Sequence, residues 1–401
     1  MAHAERAHAR LSPSSAKRWL MCPGSVKLSE AYPDTTSSYA SEGTAAHELA
    51  EKCLRERQDA ASYAMIDGVE VDEDMALGVQ LYIDWVRSQV DPGDELEIES
   101  RLDLTHVSDE MFGTGDALIY KVKARHLIVA DFKYGRGVPV EPQENAQGLT
   151  YAVGAIKRYH NRPLDRVSVA IIQPRAPHRD GPIRVWETDP ISVLEFEADL
   201  REGAARVDEA VGNHKYAETY DDKDLSLWTS AYLNPGEWCR FCKALPGCPA
   251  ARQKALDAAR EEFMPDKPLH LPALTPDRLG ALLDEAEFQK MRWKAIEEFA
   301  HQEALAGRSP VGWKLVAKRA MRKWKNEDEA VASLALAFDL DEDQIFDRKL
   351  RSPAQIEKFL PKAKRAEMDA FVTKESSGLV LVAESDPREA AKPDAAEEFG
   401  A

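Results

Sequence analysis

Apolar positions along the chain change their period several times, and each change marks an element. In SEGTAAHELAEKCLRE, residues Ala46, Leu49, Ala50, Cys53 and Leu54 recur three and four apart, which lines one face of a helix. From Glu95 the period drops to two. ELEIESRLDL sets Leu96, Ile98, Ser100 and Leu102 on one side and Glu97, Glu99, Arg101 and Asp103 on the other, predicting a strand with one buried face. ALIYKV and HLIVADFK, joined by Lys123-Ala124-Arg125, predict a β-hairpin. NAQGLTYAVGAIKRYH returns to the helical period and stops at Arg162-Pro163. VSVAIIQP is an apolar strand with IRVWET as its hairpin mate, and a polar helix covers about 190–213.

The flanks have their own signals. Ser12 as N-cap and Pro13 at the first helical position start a short helix that reaches Cys22, where Pro23-Gly24 ends it. Residues 251–307 are rich in Ala, Glu, Leu, Arg and Lys and predict helix; RAMRKWKNEDEAVASLALAF then carries a basic cluster and a further helix. SDPREAAKPDAAEEFGA is charged and poor in apolar residues, the composition of a disordered tail. The order helix, three antiparallel strands, helix, strand predicts an α/β core with a central mixed sheet flanked by helices, followed by a mostly helical C-terminal extension. The boundaries expected are a flexible arm over 1–10, a core domain over 11–255, the extension over 256–385 and the tail over 386–401.

Bulk composition narrows the class. At 401 residues and 44% hydrophobic content the chain can bury a sizeable core. Its apolar runs are strand-length, and MAHAERAHARLSPSS has no apolar centre, so neither a membrane span nor a secretory signal is expected and the location implied is cytoplasmic. The net charge of −17 argues against a nonspecific nucleic-acid coat. It is compatible with a carboxylate site that is acidic until a metal arrives.

The hairpin carries the candidate chemistry. With its turn near Ala124, Asp116 falls opposite Asp131 or Phe132, and Asp131 and Lys133, two apart on a strand, point the same way. Two neighbouring carboxylates repel unless a cation sits between them. Mg²⁺ or Mn²⁺ suits such oxygens, and a lysine beside them can position or help deprotonate an attacking water, the apparatus of metal-assisted phosphodiester hydrolysis. The plain alternative is solvated charge at strand ends. Against it, Asp131 emerges from the apolar run LIVA, an expensive place for an unpaired carboxylate. Glu99 is read first as an exposed strand carboxylate, with a metal or outer contact as the alternative. Separately, Cys239-x₂-Cys242-x₅-Cys248 in GEWCRFCKALPGCPA has metal-ligand spacing but lacks a fourth thiol nearby. Cys53 lies on an apolar stripe and reads as core.

GTGDALIY followed by IVADFKYG resembles the motif pair of the PD-(D/E)xK nuclease superfamily in its RecB-like branch. That resemblance implies a metal-binding histidine on an upstream helix, here His47, and a Q-x-x-x-Y element on the helix after the lysine strand, here Gln147 to Tyr151. It implies that His47, Asp116, Asp131 and the Phe132 carbonyl hold Mg²⁺ or Mn²⁺, that Lys133 orients the water, and that Gln147 and Tyr151 steady the site or the DNA strand. Read on their own, His47 is a half-buried structural histidine and Gln147 and Tyr151 a polar row on an amphipathic helix.

LSPSSAKRWLMCPGS and the late cysteines are similar to the AddB-type and CRISPR-associated exonucleases within that branch, where one early and three late cysteines bind a [4Fe-4S] cluster. The resemblance implies Cys22, Cys239, Cys242 and Cys248 as ligands, a staple that joins the two ends of the nuclease core; a four-thiolate zinc site is the alternative. The whole chain resembles an uncharacterised family of stand-alone RecB-type nucleases common in bacteriophages and prophages. That implies a DNA exonuclease acting in recombination, replication or repair in the bacterial host cytoplasm, on single strands or duplex ends, beside a single-strand-binding or annealing protein. A noncatalytic DNA-binding or assembly factor on the same fold is the competing function, and a zinc-stapled hydrolase of another substrate the third. Arg319, Arg322, Lys323, Trp324 and Lys325 can grip phosphate and stack a base, or can be a solvated helix end.

Overall fold

Helices and strands succeed one another in an order that brackets a single five-stranded sheet. The computed structural model describes residues 9–33, 38–109, 111–135, 138–220, 222–262 and 275–316. After a 3₁₀ turn at Pro13–Ser15 come α1 (Ala16–Met21), α2 (Gly24–Ser29) and α3 (Ser38–Glu56). A small hairpin of β1 (Met65–Ile66) and β2 (Val69–Glu70) leads to α4 (Glu73–Gln89), whose Asp72 N-cap accepts from Met75 N–H. The sheet then forms from β3 (Glu95–Asp103), β4 (Phe112–Lys121) and β5 (His126–Phe132); α5 (Ala146–Arg158) crosses over to β6 (Arg166–Ile172), and β7 (Ile183–Thr188) closes it. Spatial order follows chain order. The pairs β3·β4, β4·β5 and β6·β7 are antiparallel and β5·β6 is parallel, so the sheet is mixed as expected.

Both faces of the sheet are covered. Leu49, Cys53 and Leu54 of α3 and Val79, Tyr82, Ile83 and Val86 of α4 pack on Ala117, Ile119, Ile128, Ala130 and Phe132. On the opposite face Trp19 of α1, Leu149, Ala152 and Val153 of α5, and Val193, Leu200 and Val207 of α6 (Pro190–Tyr220) pack on Leu118, Tyr120, Leu127 and Val129. Alternate residues of β4 and β5 thus serve two different cores, the period-two rule at work. The hairpin turn falls over residues 122–125, around the Ala124 predicted. Helix α4 went unpredicted, although Asp72, Glu73 and Asp74 form a helix-start signal ahead of Met75, Val79, Tyr82, Ile83 and Val86 at helical spacing.

The chain then runs through α7 (Asp222–Tyr232) and two 3₁₀ turns carrying the late cysteines to α8 (Pro249–Glu262) and α9 (Pro276–Leu305). Phe288, Met291 and Ala295 of α9 pack against Leu245, Ala251 and the cysteine segment. Residues to Arg308 form one compact unit; a second runs from Ser309 to Ala401, and only 309–316 of it are described. The basic cluster Arg319, Arg322, Lys323, Trp324, Lys325 and the expected tail lie outside the described residues. Among the described residues no helix is long and apolar enough to cross a membrane.

Candidate metal centre

Three carboxylates lie level across three strands. Ile98 pairs with Ala117 and Ser100 with Gly115, so Glu99 of β3 faces Asp116 of β4. On the other side Ala117 pairs with Ala130, and the next rung brings Asp116 level with Asp131 of β5. That rung is held by a side chain: the Phe132 N–H donates to Asp116 Oδ2 at 2.7 Å.

Glu99 departs from expectation in two ways. It is buried, its side chain only 4% exposed, where an exposed strand carboxylate was the first reading. It also has φ +48°, a left-handed conformation that a glutamate adopts at a cost of about 1–3 kcal/mol. The consequence is a switch of faces. Leu96 and Ile98 pack with the α3/α4 core, whereas Leu102 beyond the kink packs with the α5 core, so the four alternating residues do not share one side. A binary pattern cannot reveal this, since the alternation stays intact while the backbone turns over.

His47 reaches the rung from α3. Its Nδ1 lies 3.5 Å from Asp116 Oδ1 and 3.9 Å from Glu99 Oε1, and its ring is 5.3 Å from the Phe132 ring. One ligand atom from each of His47, Glu99 and Asp116 lies within 4.8 Å of the other two. Burial alone would pull the His47 pKa down, but Asp116 and Glu99 outweigh it and hold the imidazole above its ordinary value. For Asp116 burial works upward and is overcome by His47, Lys133 and the Phe132 N–H, so its carboxyl sits low.

Asp131 belongs to an adjoining network. It is almost fully buried, and Lys133 Nζ lies 2.8 Å from its Oδ2 and donates to its Oδ1 at 3.1 Å. Oδ2 lacks hydrogen-bond geometry despite that proximity. Gln147, on the first turn of α5, accepts from Lys133 at 2.9 Å and donates to Asp131 Oδ1 and to the Tyr151 hydroxyl, each at 3.1 Å. Burial, followed by Asp116, raises the Asp131 pKa against the pull of Lys133. Helix α5 can approach closely because a Cβ on Gly148 would overlap Val169 of β6. The Asn145 N-cap accepts from Gly148 N–H and sets where the helix starts.

The structure therefore brings His47, Asp116, Asp131, Phe132, Lys133, Gln147 and Tyr151 to one end of the sheet. The group compact enough to share an ion contains Glu99 rather than Asp131. The chemistry of the donors, one imidazole nitrogen and two carboxylate oxygens, fits Mg²⁺ or Mn²⁺.

Cys22, Cys239, Cys242 and Cys248 line one small apolar cavity together with Leu233, Trp238 and Leu245. No three of their sulfurs lie within 4.8 Å of one another, so they are not gathered at the roughly 3.8 Å separation that a tetrahedral Zn–S₄ centre implies. Burial pushes the Cys22 thiol up to about 11 and that of Cys239 to about 12, so ligation there would release protons. The four thiols come from distant segments to one cavity but are not clustered as a ligand set, so the expected [4Fe-4S] staple is not shown. Cys53 is fully buried in the α3/α4 core, away from this cavity.

The model of the family described as "Protein of unknown function (DUF2800)" matches residues 8–389. The chain belongs to this family. This DUF2800 member is also similar to the solved structure "Crystal Structure of LHK-Exo in complex with dAMP", at 14% identity, covering 52% of this chain and 99% of that one with a TM-score of 0.24.

Proposed function

We propose that this protein is a metal-dependent deoxyribonuclease, acting from DNA ends as an exonuclease. The observation that carries the reading is the level row Glu99–Asp116–Asp131 with His47 against one end and Lys133 against the other. Uncompensated carboxylates so placed and so buried oppose folding, and a divalent cation removes that opposition. His47, Glu99 and Asp116 would hold it; Asp131 and the Phe132 carbonyl complete the set that the nuclease resemblance implies. Bound there, Mg²⁺ or Mn²⁺ supplies Lewis acidity toward a phosphodiester oxygen and lowers the pKa of water.

The chain's own residues do the rest. Lys133, fixed by Asp131 and Gln147, presents an ammonium that orients the attacking water and balances negative charge gained by the phosphate. Gln147 holds both members of the ion pair and is itself held by Tyr151. The buried wall of Phe132 and Tyr82 keeps bulk water from one side of the site.

The same reading assigns Cys22, Cys239, Cys242 and Cys248 to a [4Fe-4S] cluster that staples the two ends of the core. Support comes from their shared cavity and the sequence resemblance. DNA recombination, replication or repair for a phage or prophage in the bacterial cytoplasm, beside a single-strand-binding or annealing protein, is the setting the resemblance favours. Hydrolysis of linear DNA by the full-length protein with Mn²⁺ or Mg²⁺, absent in EDTA and lost in Asp131→Ala and Lys133→Ala, tests the activity. Cleavage undiminished in both variants refutes the site.

A further inference from the structure

Tyr82 lies on α4, an element that none of the motif residues occupies. Its side chain is 1% exposed, and its hydroxyl has no hydrogen-bond partner among the described residues. A buried hydroxyl left unpaired is uncommon and destabilising, so its presence calls for a cause. The ring shows which residue the side chain packs against. It stacks on Phe132 with centroids 4.7 Å apart and planes 23° apart, and Phe132 in turn touches His47 by its ring and Asp116 by its N–H. The phenol lies within the fields of Asp116, Glu99 and Asp131, which add to the effect of burial in pushing its pKa well up. An unsatisfied donor thus belongs to a ring packed on Phe132, the residue that touches both His47 and Asp116.

We propose that Tyr82 is a positioning residue of the metal centre, whose hydroxyl donates to a carboxylate or a water of the hydrated divalent cation held by His47, Glu99 and Asp116. The inference rests on the reading that this triad binds a cation. An ordered outer contact of this kind orients ligands and commonly contributes 10- to 100-fold in metal affinity, by order of magnitude. The arrangement also explains why the hydroxyl is retained: its cost falls on the metal-free fold and is relieved when the ion and its waters arrive.

Tyr82→Phe keeps the stacked ring and removes only the oxygen. In the full-length protein, Mn²⁺ titration followed by calorimetry or by the EPR signal of free Mn²⁺ is expected to show affinity about 10- to 100-fold weaker. The melting midpoint in EDTA is expected to stay level or rise, because an unpaired buried group has gone. A purely structural tyrosine gives the reverse, a lower midpoint with unchanged Mn²⁺ affinity, and that result overturns the proposal. Asp116→Asn, titrated alongside, separates the two levels. If it binds Mn²⁺ as the parent does, the triad reading itself fails and Tyr82 loses its role with it. If Asp116→Asn loses binding while Tyr82→Phe retains it fully, only the Tyr82 assignment falls.

Discussion

Glu99 and Asp116 face each other directly across β3 and β4, at the rung between the Ile98–Ala117 and Ser100–Gly115 pairs. Like charges directly opposite in an antiparallel pair are destabilising by a few tenths to about 1 kcal/mol even when exposed. Here both are largely buried, and both lie against His47, whose pKa they raise. Glu99→Gln is therefore expected to raise the melting midpoint of the metal-free protein while weakening Mn²⁺ binding. Paired thermal melts in EDTA and with saturating Mn²⁺ check it: the variant melts higher than the parent in the first and gains less from the metal in the second.

The titration of His47 gives a pH dependence of definite sign. Its folded pKa is raised above the 6.5 of the free side chain. The stabilisation is thus fully present below about pH 6.5 and is lost as pH rises through the folded value. On the acid side Asp116 is shifted down and Asp131 up, so their contributions oppose each other and the alkaline limb is the clearer one. In EDTA the midpoint of the parent falls above pH 6.5 and that of His47→Asn changes less. Mn²⁺ affinity runs the other way, rising with pH as the imidazole gives up its proton.

Lys133 and Asp131 are coupled through burial. Lys133→Ala leaves a buried carboxylate without its cation and is expected to cost roughly 2–4 kcal/mol, somewhat below a fully buried pair because Lys133 keeps part of its surface in water. Adding Asp131→Asn recovers most of that stability, since the unpaired charge is gone. Neither variant regains DNA cleavage, expected to fall at least about 100-fold. Denaturant melts beside a cleavage assay distinguish this from a general loss of fold.

Packing of α5 on the sheet reaches the site through one glycine. Gly148→Ala sets a methyl against Val169 and displaces the turn that carries Gln147. A stability loss of about 1–3 kcal/mol is expected from the overpacking. Activity falls further than unfolding accounts for, because the Lys133–Gln147–Asp131 contacts shift together. Cleavage measured well below the variant's melting midpoint checks this.

The four-cysteine cavity yields a separate prediction. Anaerobically purified parent is expected to be brown and to carry about four irons per chain. Cys22→Ser, Cys239→Ser, Cys242→Ser and Cys248→Ser each lose iron and stability, whereas Cys53→Ser keeps the iron. A colourless parent with one zinc replaces the cluster with the zinc alternative.

Much of this was legible in the chain. Periodicity located α3, the β4/β5 hairpin, α5 and the β6/β7 pair, because each has a clean buried face and its turn residues close at hand. Counting back from the Ala124 turn set Asp116 opposite Asp131 or Phe132, and the strand register selects Asp131. Glu99 was legible only as the second reading of a strand carboxylate, and Tyr82 not as a site residue, for physical reasons. A left-handed backbone at Glu99 turns its carboxylate inward without disturbing the polar/apolar alternation. Tyr82 comes from α4, outside every motif, and its place against Phe132 depends on how that helix packs on the sheet.

Metal-dependent DNA cleavage at the row of three carboxylates is the activity proposed for this protein. Digestion of end-labelled single- and double-stranded linear DNA by anaerobically purified protein tests it most directly, with Mg²⁺ or Mn²⁺ and with EDTA, beside Asp116→Asn. Metal-dependent release of labelled nucleotides from ends by the parent, and loss of at least about 100-fold in the variant, are the expected results. DNA binding in EDTA with no cleavage under either metal, or equal cleavage by parent and variant, would contradict it.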